Sequence, residues 1–242
     1  MAEIETLYED RAIVAVHKPA GWTVIPARDE PEERCLRARL EASRGEKLWV
    51  CHRIDRDTSG VVLFARTAEA HRSVNHGFES RSVSKRYAVF VRSSSALADS
   101  GAIRVALHSA RKGKMRPALD GEPDALSAET HWELIAARSA SVGFVSRLEA
   151  RPKTGRQHQI RVHFRWMNAP LLVDSLYGAA SSRADGELGE GSPALSRLTL
   201  HASSLTLAHP TSGAPLTIDA ALPEDLAALD RWIVDGQSKR SE

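Results

Sequence analysis

The sequence has few cysteines and no long apolar run. Its 242 residues include only Cys35 and Cys51. With no CxxC pair, we expect two reduced thiols rather than a disulfide or metal ligands. None of the ten histidines falls in an HExxH or C2H2 pattern, so we predict no metal. No apolar segment reaches the roughly 18 residues that span a bilayer. The acidic start, MAEIETLYED, does not resemble a secretory signal, so we expect a cytoplasmic protein with no membrane partner.

Charge is distributed unevenly, although the formal net charge of +2 identifies no partner by itself. Segment 81–116 holds nine Lys or Arg residues and one acid, and segment 147–165 holds six and one. The two ends of the chain are acidic. Two basic segments set off by acidic ends indicate a positive face able to meet phosphates. The alternative is an ordinary solvated surface.

Short apolar runs rich in β-branched residues predict strands. The predicted strands cover residues 12–16, 60–65, 86–91, 142–150 and 198–207. Strands mixed with helices, without regular βαβ alternation, favour the α+β class and a single domain over 1–242.

Apolar residues at helical spacing predict a helix over 160–167, with Thr154 and Gly155 providing its turn and cap. A second helix is predicted over 68–80. A C-terminal helix is predicted over 222–236, starting near Pro223 and ending at Gly236. We expect surface loops over 117–127 and 181–194.

The most informative stretch is CHRIDRDTSGVVLFART, residues 51–67. It places two acids and two arginines directly before a turn and a buried strand. A carboxylate held beside guanidinium groups stays ionised at neutral pH, which suits a nucleophile or a general base. Taken alone, the pattern also fits a structural Arg–Asp pair at a turn, which is the commoner arrangement.

Two further stretches carry basic and aromatic side chains. RPKTGRQHQIRVHF, residues 151–164, brings Arg156 and Arg161 to the start of the predicted helix, where helix N-terminus and arginines both suit anions. SKRYAVFV, residues 84–91, opens a strand with Tyr87 beside Lys85 and Arg86. Each stretch has a structural alternative. Residues 151–164 could form a cationic helix packed on a sheet, and Tyr87 could pack within the protein instead of stacking on a base.

Together these stretches resemble one family. HRIDRDTSG resembles the HRLDxxTSG signature of the RluA-type pseudouridine synthases, and the other blocks keep the family's order: VAVHKPAGWTVIPA, KRYAVFV, TGRQHQIRVHF, LLVDSLYG and LHASSLTLAHPTSG. The resemblance implies one catalytic domain with a core over 7–222 and a C-terminal helix over 222–236. Its implied fold is a large mixed, mostly antiparallel central β-sheet flanked by helices and loops. It covers no S4-like N-terminal RNA-binding domain, so we expect a short form.

The resemblance also implies roles for individual residues. Asp55 takes the place of the catalytic aspartate, Tyr87 that of the aromatic residue packed on the target base, and Arg161 that of the arginine paired with the aspartate. Arg53 stands where the family carries a basic residue facing the RNA. The sequence departs from the family pattern at three places beside these positions: Ile54, Gln157 and Val173–Asp174. These departures leave the catalytic residues in place and put the choice of substrate in doubt.

The implied reaction breaks the N1–C1′ bond of a uridine, turns the base over and rejoins it through C5. It needs no metal or cofactor, and the sequence holds no Rossmann or P-loop glycine motif. Asp55 could attack C1′, attack the uracil ring, or remove the C2′ proton, and the sequence leaves these routes open. The expected partner is ribosomal or transfer RNA, bound by a monomer with no obligate protein partner. The candidate RNA-binding residues are Arg53, Lys85, Arg86, Lys112, Arg116, Lys153, Arg156 and His158.

Two other functions remain open at this point. One is a non-catalytic RNA-binding module on the same fold, which the intact HRIDRDTSG and HQIRVH blocks disfavour. The other is a nucleoside or glycoside hydrolase, which usually needs two carboxylates in separate roles. Asp57 is the nearest second acid, and we expect it to face away from the pocket.

Overall fold

The computed structural model describes residues 4–26, 35–141, 143–178 and 188–236. The chain forms two compact units. Unit 1 comprises Met1–Arg86 and His201–Ala221, and unit 2 comprises Tyr87–Leu200 and Leu222–Glu242. Within the described residues, no helix is long and apolar enough to cross a membrane.

The elements are numbered in chain order. The strands are β1 Thr6–Glu9, β2 Ile13–Lys18, β3 Trp49–Val50, β4 Ser59–Ala65, β5 Ser84–Ser93, β6 Ser100–Arg104, β7 Leu107–Ser109, β8 Met115–Pro117, β9 Glu129–Ala140, β10 Gly143–Pro152, β11 Leu200–Ala208 and β12 Pro215–Asp219. The α-helices are α1 Leu36–Arg44, α2 Ala68–Glu79, α3 Gln159–Trp166 and α4 Glu224–Asp235.

Strand β4 is the centre of unit 1. It pairs antiparallel with β2 and β3, and parallel with β11. Alternate side chains leave its two faces: Val61 and Leu63 pack in the cluster that includes helix α2, and Val62 and Phe64 in the cluster that includes helix α1. Because both faces are covered, every residue of β4 is buried, which explains its unbroken apolar run.

Unit 2 repeats this layering on antiparallel strands. Strand β10 pairs with β5 and β9, and β9 pairs with β6. Val89 and Val91 of β5 pack in the cluster that includes helix α3, while Phe90 packs in the cluster that includes helix α4. Strands β7 and β8 form a separate hairpin.

The predicted α+β class, with mixed and mostly antiparallel strand pairing, is confirmed, since β4–β11 is parallel and the other described pairs are antiparallel. The five predicted strands and three predicted helices are present with small shifts at their ends, and α4 lies between Pro223 and Gly236 as predicted. The predicted loop 117–127 is confirmed, whereas much of the predicted loop 181–194 lies outside the described residues. A single domain over 1–242 stays a prediction.

The predicted cap of helix α3 is wrong. His158, not Thr154 or Gly155, occupies the N-cap position, and its side chain makes no capping hydrogen bond. The Thr154 hydroxyl instead donates to Gln159 Oε1 at 2.7 Å. Gln159 then accepts from the Arg156 N–H at 3.0 Å, so a buried glutamine organises this turn.

Gly60 allows β4 and β11 to approach each other. It has φ +120°, and a Cβ at this position would overlap the backbone of Ala202, its partner on β11. A residue with a side chain would therefore meet both backbone strain and a clash that no rotamer relieves.

We expect Gly60→Ala to lower the free energy of unfolding by roughly 3 kcal/mol or more, because strain and overlap add. Gly45→Ala is the matched control. Gly45 also has positive φ, at the end of α1, but no atom lies within 4 Å of the position that a Cβ would take there, so about 1 kcal/mol should be lost. Urea denaturation measures both variants, and equal losses would contradict the role given to Ala202.

Candidate functional site

Asp55 occupies the first position of a tight turn. The Thr58 N–H donates to the Asp55 carbonyl at 3.1 Å, and Ser59 directly begins strand β4. Aspartate is favoured at this turn position because its short carboxylate can bond nearby backbone groups. Asp55 is half-buried, whereas Arg53 and Arg56 are exposed. The turn therefore places a carboxylate at the entrance to the central strand of unit 1.

Lys18 fixes this turn from inside the protein. Its buried ammonium group donates to three carbonyl oxygens: Arg56 at 2.7 Å, Trp22 at 2.7 Å and Pro19 at 2.9 Å. The Gly21 N–H also donates to the Arg56 carbonyl at 2.9 Å. An ammonium group has three protons to donate, so one side chain ties two loops together. The KPAGW part of the first sequence block thus supports the turn that carries Asp55.

His52 anchors the segment that leads into the turn. The Leu63 N–H of β4 donates to His52 Nε2 at 3.0 Å, and the ring stacks on Phe78 at 5.2 Å. Burial, with a smaller contribution from the nearby Lys85 charge, lowers the pKa of His52 to about 4. His52 is therefore neutral at physiological pH, as an accepting Nε2 requires.

Ser59 and His201 join β4 to β11 beside the turn. Ser59 Oγ and His201 Nδ1 lie 2.8 Å apart, and His201 Nε2 lies 3.1 Å from the Ala220 carbonyl oxygen. A carbonyl only accepts, so Nε2 donates to it and Nδ1 accepts from the Ser59 hydroxyl. Both side chains are buried, so this bond holds the start of β4 in place.

In unit 2, Arg161 projects from α3 and forms a buried ion pair with Asp174. Its Nε and Nη2 donate to the two carboxylate oxygens at 2.8 and 2.7 Å. Asp174 Oδ1 also accepts from the N–H groups of Leu176 and Tyr177. Burial by itself raises the pKa of Asp174, but these hydrogen bonds and the Arg161 charge outweigh it and leave the pKa below its ordinary value. The predicted pairing of Arg161 with Asp55 stays a prediction.

Tyr87 and helix α3 share one hydrophobic cluster. Tyr87 stands opposite Ala150 on the neighbouring strand β10 and packs, partly buried, on the cluster that contains Ile160 and Phe164 of α3. Unit 2 therefore brings the predicted base-stacking aromatic residue and the helix that carries Arg161 into one packed layer.

The predicted RNA-binding residues of unit 2 differ in their surroundings. Lys112 is exposed at the end of the β7–β8 hairpin, and Lys153 is exposed after β10. Arg116 forms a two-pronged ion pair with Glu122, which together with the Leu119 N–H lowers the pKa of Glu122 to about 2. Arg156 donates to the Ser127 carbonyl at 3.1 Å. The Arg116 charge is thus partly neutralised within the protein.

Lys85 and Arg86 of unit 1 are also engaged by their surroundings. Burial lowers the pKa of Lys85 to about 8. Arg86 donates to Ser204 Oγ at 3.1 Å and lies 3.5 Å from Asp219. Their roles in RNA binding remain predictions.

Residues 12–166 match the model of a protein family described as RNA pseudouridylate synthase. The chain belongs to this family. It is 31% identical to ribosomal large subunit pseudouridine synthase D of Xanthomonas campestris pv. campestris, over 99% of this chain and 72% of that protein. It is 35% identical to tRNA pseudouridine synthase C of Salmonella typhi, over 91% and 86%. The predicted family and enzyme class are thereby confirmed: the chain is an RNA pseudouridine synthase.

The fold agrees with this membership. Human RNA Pseudouridylate Synthase Domain Containing 1 matches with a TM-score of 0.75 at 23% sequence identity, covering 93% of this chain and 87% of the human one.

The structure adds three residues to the predicted site of this pseudouridylate synthase: Lys18, Asp174 and Tyr177. Lys18 lies in a sequence block that carries the resemblance, but no local pattern indicates that its ammonium group is buried. Asp174 and Tyr177 lie in the LLVDSLYG block, which also carries the resemblance but departs from the family pattern at Val173–Asp174. The sequence offers one signal for Asp174: an arginine predicted to be buried, Arg161, needs an acid nearby to neutralise it. Which acid does so becomes clear only in the folded chain, where Asp174 pairs with Arg161.

We expect Asp174→Asn to lower the free energy of unfolding by about 3–5 kcal/mol, because it breaks a buried ion pair and puts a neutral amide where Arg161 meets a carboxylate. Glu224→Gln is the matched control, since Glu224 and Arg231 form an exposed pair worth at most about 1 kcal/mol. Thermal and urea unfolding measure both. The ionised Asp174 contributes to the free energy of unfolding above the ordinary aspartate pKa, and this contribution is lost as pH falls through its lower pKa in the folded state. The free energies of unfolding of the wild type and Asp174→Asn should therefore converge in acid. Equal stability at pH 7 would contradict this account.

Proposed function

We propose that this enzyme converts uridines of ribosomal RNA or transfer RNA into pseudouridine, with Asp55 as the catalytic carboxylate. One observation supports the assignment of Asp55. The buried Lys18 ammonium group donates to the backbone of the turn that begins at Asp55, and this turn leads directly into β4, the most buried strand of unit 1. The names of the relatives support both RNA classes. Family membership disfavours the two other functions left open by the sequence.

A carboxylate carried on a fixed backbone turn suits this reaction because the reacting atoms must be aligned before bonds break. The glycosidic bond of uridine breaks, the base turns over, and C5 bonds to C1′, so no redox change is needed. Asp55 acts at C1′, at the uracil ring, or at the C2′ proton.

Access to a stacked uridine requires that the base leave the RNA helix, at a cost of a few kcal/mol. Tyr87 is proposed to stack on the extruded uracil, which contributes roughly 1–3 kcal/mol. Arg53, exposed two residues before Asp55, is proposed to fill the space that the base leaves. Arg161 is proposed to pair with Asp55, as the family resemblance implies.

We further infer that the enzyme acts as a cytoplasmic monomer with a single catalytic domain. Its two cysteines are free thiols, which fits a reducing compartment.

We expect Asp55→Asn and Asp55→Ala to fold and bind RNA but to form no pseudouridine, because the reacting carboxylate is gone. Tritium release from RNA carrying 5-tritiated uridine measures the reaction. Asp57→Ala, two residues along the same turn, is the matched control and should keep much of the activity. Turnover near wild type in Asp55→Ala, with Asp57→Ala inactive, would show that Asp57 and not Asp55 is the catalytic carboxylate.

We expect RNA affinity to fall as salt rises, by about 0.7 log units per log unit of salt for each phosphate contact on a single strand. Lys112→Ala should flatten that slope by about one contact, since Lys112 is exposed at the hairpin end. Arg116→Ala should change the slope less, because Glu122 already engages Arg116. Filter binding over a salt series measures both, and a larger effect at Arg116 would contradict this order.

Arg53→Ala should behave differently from both variants. If Arg53 fills the space left by the extruded base, its loss should slow turnover of bound RNA more than it weakens binding. Loss of affinity with unchanged turnover would make Arg53 an ordinary phosphate contact.

A further inference from the structure

Thr58 carries a buried hydroxyl group that the turn itself does not use. The residue is 1% exposed and is the last of the four residues in the turn that begins at Asp55. Its backbone N–H closes the turn by donating to the Asp55 carbonyl at 3.1 Å. Its side-chain Oγ1 is closed off from solvent and has no hydrogen-bond partner among the described residues. Because a hydroxyl group withdrawn from water without a partner is unfavourable, the folded chain keeps this group at a cost in stability.

The position of Thr58 distinguishes it from other buried hydroxyl groups. Within the part of the chain that the structure describes, those of Thr23 and Ser146 are also buried without a partner. Thr23 precedes helix α1, and Ser146 lies within strand β10. Of these three residues, only Thr58 shares a turn with the proposed catalytic carboxylate. Hydrogen bonds of catalytic groups often form fully only once the substrate is bound, so an unpaired donor at this place suits the reacting complex.

The Asp55 carboxylate is the acceptor that the turn offers to this hydroxyl group. Asp55 and Thr58 are the first and fourth residues of the turn, and the Cα atoms at these positions lie within about 7 Å of each other. An aspartate at the first position often bonds groups a few residues further along. A carboxylate accepts about four hydrogen bonds, so a bond from Thr58 leaves room for other partners. RNA does not reach the hydroxyl group itself, because Oγ1 is shielded from solvent.

The backbone of the turn is fixed, so any adjustment to the substrate comes from side chains. The Arg56 carbonyl accepts from both the Lys18 ammonium group and the Gly21 N–H. Asp55 is only half-buried, and its carboxylate can turn about its own side-chain bonds. A donor attached to the same fixed turn restricts that rotation, as alignment of a reacting group requires.

We propose that Thr58 is a positioning residue for Asp55. When RNA is bound, the Thr58 hydroxyl group donates to one oxygen of the Asp55 carboxylate, which leaves the other oxygen turned towards the uridine. The proposal rests on the proposed function, because it needs Asp55 to be the reacting carboxylate. It adds to that function the residue that orients this group.

The test compares Thr58→Val with Thr58→Ser. Valine keeps the shape of threonine without the hydroxyl group, and serine keeps the hydroxyl group without the methyl group. The turnover of bound RNA, measured by tritium release in single-turnover experiments, should fall about tenfold or more in Thr58→Val and stay within about threefold of wild type in Thr58→Ser. RNA affinity should be unchanged in both variants, since the hydroxyl group does not touch RNA. Equal turnover of the two variants, or a loss of affinity that accounts for the whole effect, would overturn the proposal.

Stability should follow the opposite order from turnover. Thr58→Val removes a buried hydroxyl group without a partner, so its urea midpoint should lie above that of the wild type. Thr58→Ser loses a buried methyl group, so its midpoint should lie below. A purely structural role for Thr58 predicts instead that stability and turnover fall together. A Thr58→Val variant less stable than the wild type would show that the hydroxyl group is already paired in the free enzyme, which would overturn the proposal.

Thr199→Val is the matched control. Thr199 is also fully buried, but its hydroxyl group donates to the Phe90 carbonyl at 2.9 Å. Its replacement by valine leaves that carbonyl without its donor, so Thr199→Val should be less stable than the wild type and turn over bound RNA at the wild-type rate. A loss of turnover in Thr199→Val as large as in Thr58→Val would show that any lost buried hydroxyl group slows the enzyme, and would overturn the role of Thr58.

The wild-type enzyme and Asp55→Asn are measured in parallel. An inactive wild type or an active Asp55→Asn would count against the proposed function. With those two as expected, the order of the Thr58 variants in turnover and in stability decides the inference alone.

Discussion

The position of Asp55 depends on a buried positive charge, the ammonium group of Lys18. Burying an ammonium group is costly unless its protons find acceptors, and here three carbonyl oxygens surround it. One of these oxygens belongs to Arg56, inside the turn that begins at Asp55. The hydrogen bond that the buried ammonium group needs therefore also fixes the backbone of the turn. Gly60 completes the constraint, because only a residue without a side chain allows β11 to pair beside this point. The backbone around Asp55 is therefore held by contacts that do not use its carboxylate.

Unit 2 uses a buried ion pair in the same way. The Arg161–Asp174 pair is nearly inaccessible to water, and such pairs often contribute little net stability, because desolvation offsets their attraction. What the pair does provide is orientation: two parallel hydrogen bonds fix the plane of the guanidinium group, and the Tyr177 ring covers it. An arginine held in this way can present its remaining surface in one direction, which a flexible lysine could not do.

The sequence predicts those parts of the structure whose signals are local. The apolar run of β4 and the helical spacing of α3 both reflect burial that neighbouring residues share, so periodicity identifies them. Helix α1 was not predicted, because its only buried side chains are Leu36 and Leu40 and the residues around them include several charged ones, so its apolar periodicity is weak. Likewise, the cap of α3 was wrong because Gln159 is satisfied by groups up to 30 residues away. The resemblance located Asp55, but the residues that hold it are brought together only by folding.

The same distinction applies to the basic residues. Counting charges along the chain treats Lys112 and Arg116 as equal, yet one is exposed at the end of a hairpin and the other is held by Glu122. A protein cation releases counterions from RNA when it takes their place at a phosphate, so a cation already neutralised within the protein contributes less to RNA affinity than its count suggests. A basic segment in the sequence therefore sets an upper bound on the phosphate contacts, and internal ion pairs such as that of Arg116 lower it.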